Sequence, residues 1–164
     1  MKPLTILIAE DELLTRMVLE RSVVQWGYQL VSAVDGERAL EVLRTRSVNI
    51  CILDWDMPGV TGVDICRKIK ANSTGAAPYM ILITSKNQPT EIQAGYEAGA
   101  DDYLTKPCDL KYLRRRIATV AEKLRRQEQW LDQANGESAE QAGFTTLSPL
   151  DIYLSDLRLM RRKT

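Results

Sequence analysis

Histidine is missing from all 164 residues of the chain. Its absence excludes Ser–His and Cys–His nucleophilic catalysis and any histidine-based metal site. The chain therefore cannot carry phosphohistidine, and any such chemistry must come from a partner. Net charge is missing too: 22 Lys+Arg offset 22 Asp+Glu, so no global field recruits nucleic acid or a membrane. Long apolar stretches are lacking; none reaches the roughly 20 residues that span a bilayer. Met1-Lys2-Pro3 runs straight into a strand-like segment without the layout of a signal peptide. Cys51, Cys66 and Cys108 are an odd number without metal-ligand spacing. They read as structural thiols of a reducing cytoplasm, which is the expected location.

What is present is alternation. Apolar runs of strand length, Leu4 to Ala9, Gln29 to Ala33, Asn49 to Asp54, Tyr79 to Thr84 and Asp101 to Thr105, take turns with helix-like segments. This is the signature of stacked βαβ units. Leu13, Leu14, Met17, Val18, Val24 and Trp26 form the stripe of the first helix, closed by Gly27. Asp35-Gly36 turns into a second helix with Ala39, Leu40, Val42 and Leu43, and Gly59 and Gly62 permit the loop before a third with Val63, Ile65, Cys66 and Ile69. Ile92, Tyr96 and Ala98 mark the fourth, ended by Gly99, and Asp109 is placed to cap the fifth. Five such units with short connections predict an α/β, flavodoxin-like, doubly wound parallel sheet of five strands, in order 2-1-3-4-5.

The last helix outruns that domain. Leu110, Leu113, Ile117, Val120, Leu124 and Leu131 follow three-four spacing, interrupted at Gln127. The stripe exceeds what one sheet face covers, so its far end is a candidate coiled coil, with a solvated helix as the alternative. The expected division is a domain over 1–124, a helical extension over 125–134, a polar linker over 135–147 and a short amphipathic helix over 148–164. Ser148-Pro149 would start that last helix, and Leu150, Leu154, Leu157 and Met160 would form its apolar face.

Ligands of such sheets bind beyond the carboxyl ends of the strands. Glu10, Asp11 and Glu12 follow the first strand, Asp54 and Asp56 the third, Thr84 ends the fourth and Lys106 the fifth. Singly, each is an ordinary strand terminus or cap. Together they bring mutually repelling carboxylates to one rim, which a hard cation with oxygen ligands, such as magnesium, holds best.

These residues resemble the response-regulator receiver domain of two-component signalling. The likeness runs from residue 4 to about 124 and rests on I-L-I-A-E-D-E, I-L-D-W-D-M-P-G, I-L-I-T-S and Y-L-T-K-P. It implies that Asp54 is the phosphoryl acceptor, that Glu10 and Asp11 are the metal-binding acids, and that the backbone carbonyl of Asp56 completes the Mg2+ ligands. It implies further that Thr84 and Lys106 bind the transferred group, that Tyr103 is the switch aromatic, and that Lys106-Pro107 is a cis bond, which proline tolerates. Glu10 stands where aspartate is commoner, implying coordination through water. Asp56 and Lys86 are expected to tune the acyl-phosphate lifetime, since the family varies there.

The physics agrees with these roles. Asp54 is a weak nucleophile meeting an anionic donor, and a metal on Glu10, Asp11 and Asp54 would neutralise that repulsion. Lys106 can neutralise a phosphoryl oxygen as a point charge. Thr84 can donate to another oxygen if its loop moves inward, opening a space for Tyr103. The implied partner is a sensor histidine kinase or histidine phosphotransfer protein. A homodimer through the fourth helix, fifth strand and fifth helix, extended by the last helix, is expected. The chain would act on no substrate beyond its own phosphorylation and dephosphorylation.

Other readings are distinct. Asp54-Trp55-Asp56 also resembles the D-x-D of haloacid-dehalogenase-type phosphatases, for which steady turnover of a phosphate ester would speak. A binding module with vestigial phosphorylation would fail to react with acetyl phosphate. The chain also suits the front of a longer regulator, such as a diguanylate cyclase. Lys111, Arg114, Arg115, Arg116, Lys123, Arg125 and Arg126 make the last helix basic; a solvated or interface face is the expectation, and direct nucleic-acid binding is not.

Overall fold

The computed structural model describes residues 3–72 and 77–140. The chain divides into two compact units, Met1–Ala121 and Glu122–Thr164. In the first, strands β1 (Thr5–Ala9), β2 (Gln29–Ala33), β3 (Ile50–Asp54), β4 (Tyr79–Thr84) and β5 (Asp102–Thr105) alternate with helices α1 (Leu13–Gln25), α2 (Gly36–Thr45), α3 (Gly62–Asn72) and α4 (Pro89–Glu97). Helix α5 (Leu110–Glu140) begins in the first unit and continues into the second. All strands are parallel, in the order β2-β1-β3-β4-β5, as expected from the alternation.

Burial on both faces explains the unbroken apolar runs. Every residue of β3 is buried, and Ile6, Leu7, Ile8, Ile81 and Leu82 are fully enclosed. Parallel registers such as Ile8 with Ile52 and Asp54 with Ile83 align the strand ends, so the polar residues after them share one rim. Lys106-Pro107 is cis. Asp109 accepts from the amides of Lys111 and Tyr112, capping α5 as predicted.

One orientation is new and one boundary moves. The stripe of α1 faces outward: Leu13, Leu14, Met17, Val18 and Val24 are each more than half exposed, and Leu19, Ser22 and Val23 face the sheet. An apolar stripe fixes a helix's period but not which side meets the sheet, and here a narrow Leu19–Val23 ridge suffices. Second, residues 135–140 continue α5 instead of starting a linker. Once a helix is nucleated, adding a residue needs little, and Asn135 and Gly136 together cost only about 1–2 kcal/mol relative to alanine. The rest of the linker and the helix over 148–164 lie outside the described residues.

Candidate functional site

Glu10 follows β1, Asp54 ends β3, Thr84 ends β4 and Lys106 follows β5. Glu10 is 1% exposed, Asp54 6% and Thr84 0%. Charged groups this deep need partners. Lys106 supplies them: its Nζ lies 2.9 Å from Glu10 Oε2 and 3.2 Å from Asp54 Oδ2. Lys106 is thus the one cation set against Glu10 Oε2 among the described residues. Burial pushes the Glu10 carboxyl above its ordinary value, the Lys106 ammonium opposes that, and the Asp54 charge adds to it. For Lys106, burial favours the neutral amine, but Glu10 and Asp54 outweigh it and hold the group protonated above its usual range.

Glu10, Asp11 and Asp54 can each offer one oxygen within 4.8 Å of the others. Three carboxylates against one ammonium leave a formal charge of −2. That charge and an all-oxygen donor set fit a hard divalent cation such as Mg2+. Glu12, expected with the acids of the rim, is committed elsewhere. As N-cap of α1 it accepts from the amides of Leu14 and Thr15, and its bonds to Thr15 hold its carboxyl below the usual range.

Small residues and one arginine shape the rim. A Cβ on Gly62 would lie 2.3 Å from the Asp54 carbonyl oxygen, so only glycine lets α3 begin against the end of β3. Arg16 donates to the carbonyls of Glu10 (2.8 Å) and Asp11 (3.2 Å), fixing the acidic turn. The motif spacing gave no sign of that arginine's role.

A second layer links the β3–α3 and β4–α4 loops. Lys86 Nζ stands 2.9 Å from Asp56 Oδ1 and 3.1 Å from Oδ2, and 5.7 Å from the centre of the Trp55 ring. The Asp56 bond raises the Lys86 ammonium above its usual range. Thr84 Oγ1 accepts from the Lys86 amide at 3.1 Å, and its hydroxyl also interacts with the Tyr103 side chain. Tyr103, half-buried, donates to the Lys86 carbonyl at 2.9 Å. Its ring meets Trp55 edge-on at 6.2 Å and lies against Gly95, where a Cβ would stand 3.1 Å from it. All the predicted site side chains thus join one rim or its adjoining loops. Trp55, a motif letter in the sequence, emerges as the surface shared by Lys86 and Tyr103.

Sheet order and rim together define a flavodoxin-like receiver domain, the input module of two-component signalling. Comparison with known proteins agrees: the chain belongs to the response regulator receiver domain family, whose match spans residues 6–118. It is 35% identical over 143 residues to the transcriptional regulatory protein AfsQ1 of Streptomyces coelicolor, covering 87% of this chain and 58% of that one. It is 36% identical over 137 residues to the response regulator MprA of Mycolicibacterium vanbaalenii, covering 84% and 56%. The chain therefore spans somewhat over half the length of these relatives. The fold matches the receiver domain of the Francisella response regulator 1452 with a TM-score of 0.70 at 23% identity, over 75% of this chain and 99% of that one. Among the described residues, no helix is long and apolar enough to cross a membrane.

Proposed function

We propose that Asp54 accepts a phosphoryl group from a phosphohistidine on a partner sensor kinase or phosphotransfer protein, with Mg2+ bound at the acidic rim. The observation that carries this reading is the single ammonium of Lys106 bridging two buried carboxylates, one of them on the third strand. An Asp54 carboxylate oxygen attacks phosphorus, the P–N bond breaks, and the imidazole nitrogen keeps the electron pair. Glu10, Asp11, Asp54 and the Asp56 carbonyl would hold the cation, which supplies charge neutralisation and alignment when bound. Lys106, released from its two carboxylates, turns to a phosphoryl oxygen. Thr84 turns its hydroxyl proton from Tyr103 to another.

Phosphorylation adds roughly −1.5 to −2 charges. Carrying a two-state surface from mostly off to mostly on needs about 5.5 kcal/mol of differential stabilisation, for which a lysine, a hydroxyl and a metal contact are the sources. Thr84 and Tyr103 converge on Lys86, through its amide and its carbonyl, so a displacement of Thr84 reaches the face of α4, β5 and α5 directly. That face is the proposed switch surface and homodimer interface; Tyr96 and Tyr112 lie exposed on it.

The outward stripe of α1 supports a helical phosphoryl donor. It begins at Leu13, two residues beyond Asp11, and its first turns offer four exposed apolar side chains, Leu13, Leu14, Met17 and Val18, at the end of α1 next to the rim. The basic face of α5 speaks less for nucleic acid: Arg116 is paired with Asp102, Arg126 with Glu122, and Arg115 lies over the Tyr112 ring. Two relatives are longer regulators, of which the match covers 58% and 56%, so this receiver is proposed to act in the cytoplasm as the front of a longer regulator. It turns over no external substrate, in contrast to the phosphatase reading, for which no cap insertion stands between the strands among the described residues.

The test is incubation with Mg2+ and acetyl phosphate or beryllofluoride, on the parent and Asp54→Asn, read by intact mass and by light scattering after size exclusion. A mass gain of one phosphoryl group that Asp54→Asn abolishes is expected, with a change in oligomeric mass. Absence of labelling at Asp54 refutes the reading, and sustained phosphate release from a simple ester establishes the phosphatase instead.

A further inference from the structure

The three-four stripe of α5 does not stop where its burial stops. Leu110, Leu113, Ile117, Val120, Leu124, Gln127, Leu131 and Ala134 keep the three-four spacing along one helix, with polar Gln127 as its one interruption. Within the first unit the stripe is core: Leu113 and Ile117 are 0% exposed and Val120 is 6%. Beyond Ala121, Leu124 is half-buried, and Gln127, Trp130 and Leu131 are exposed. A heptad seam that lies exposed at Gln127 and Leu131 is half of a coiled coil.

The flanking charges identify what covers it. With the stripe at positions a and d, Lys123 falls at g and Glu128 at e. In a parallel, in-register pair each g residue faces the e residue five places on in the other helix. Lys123 of each copy therefore meets Glu128 of the other, giving two opposite-charge pairs per dimer. An antiparallel pair sets g against g and e against e. Between residues 121 and 134 those positions hold Lys123 and Trp130, and Ala121 and Glu128, so no opposite charges meet. Gln127 at d would face its own copy, the use of a lone polar core residue that fixes register at some cost in stability. The helix arrives already nucleated from Asp109, which lowers the cost of pairing a short segment.

We propose that the part of α5 beyond Ala121 pairs in parallel and in register with the same segment of a second copy of this chain, with Lys123 and Glu128 as the orienting ion pairs. This is independent of the chemistry at Asp54. It gives the receiver a dimer contact in line with its last helix, separate from the face of α4, β5 and α5.

The whole 164-residue chain is used for the test. Light scattering across a dilution series is expected to give a dimer that Lys123→Glu and Glu128→Lys each weaken about fivefold or more, as two surface pairs of roughly 0.5 kcal/mol each require. The double charge swap is expected to restore it, and Asp54→Asn to leave it unchanged. Oxidation of Leu124→Cys and Leu131→Cys, each in a Cys108→Ser background, is expected to cross-link each variant with itself. A monomer at ~100 µM overturns the proposal. So does a dimer blind to both charge reversals, or one dissolved by Tyr112→Asp alone. Cross-linking only when the two cysteine variants are mixed overturns the parallel orientation. Loss of Asp54 phosphorylation with the dimer intact defeats only the function proposed above.

Discussion

Replacing Lys86 with alanine isolates the layer that guards the acceptor. In the parent, the Lys86 ammonium holds Asp56 at 2.9 and 3.1 Å while resting 5.7 Å from the centre of the Trp55 ring. The lysine side chain is 31% exposed and the aspartate 53%, so the pair belongs to the screened surface class and is worth about 0.5 kcal/mol. The ring contact adds about 0.5 kcal/mol. Together they hold the Asp56 carboxylate with about 1 kcal/mol, equivalent to about fivefold in a rate that depends on its release. Asp56 donates its backbone N–H to Asp54 Oδ1 at 3.3 Å, so the carboxylate lies next to the acyl phosphate that would form. Freed, it can orient water toward phosphorus. Lys86→Ala is expected to shorten the acyl-phosphate lifetime about fivefold, and Asp56→Asn to lengthen it. The double variant should behave as Asp56→Asn, since the lysine acts through the carboxylate. The assay is loss of radiolabelled phosphate from purified protein at fixed Mg2+, in low and high salt. Unchanged lifetimes in both single variants would refute the reasoning, as would a double variant with additive effects.

Three further outcomes follow from the same geometry. Burial lifts the Glu10 carboxyl above its ordinary value, so in the window between the two values the folded state binds more protons than the unfolded chain, and stability falls as pH rises through it. Thermal melts without divalent cations should show that fall for the parent and a flatter profile for Glu10→Gln, with Mg2+ raising the parent's melting temperature more; identical slopes would count against it. Gly62→Ala forces a Cβ to 2.3 Å from the Asp54 carbonyl. It should cost about 1–3 kcal/mol and slow phosphorylation of Asp54, and an unchanged denaturation midpoint would contradict the close approach. Arg116→Ala strands Asp102, which is 5% exposed and paired with that guanidinium. A loss of about 3 kcal/mol is expected in urea unfolding, the low end for a broken buried pair because the arginine is itself about a third exposed, whereas Arg116→Lys should recover part of it.

The sheet was legible because its strands are buried on both faces, and a run such as Ile50 to Leu53 has few other uses in a chain of this size. The rim was legible for a related reason. Parallel strands end together, so a polar residue directly after each apolar run is delivered to one place, and Glu10, Asp54, Thr84 and Lys106 needed only that rule. What sequence spacing could not supply was orientation around a helix axis. Leu13, Leu14, Met17 and Val18 mark a helical stripe without saying which way it faces, and the helix turns Leu19 and Val23 to the sheet instead. Both stripes have helical period, and the one with fewer apolar residues won. Glu12 was misplaced by the same kind of gap: a third acid in a row cannot be told from a helix cap until the helix start is known.

The end of α5 carries the same lesson in the opposite direction. Asn135 and Gly136 are breakers by composition, and composition alone made them a linker. Their effect depends on what precedes them: in isolation they prevent a nucleus from forming, but behind some 25 helical residues they only tax one that exists. Turn residues therefore mark linkers well between strands, where each element must start anew, and poorly at the end of a long helix. For this chain the consequence is mechanical. A helix that runs from the cap at Asp109, beside the cis bond of the Lys106 loop, through to Glu140 is a continuous element between the phosphorylation rim and whatever follows the receiver. A continuous helix would transmit rotation or pairing between its ends, whereas a flexible linker would transmit only proximity. An insertion of two glycines after Lys123 should thus leave labelling of Asp54 intact while abolishing any phosphorylation-dependent change beyond residue 124, and transmission that survives the insertion would show that the helix is a tether.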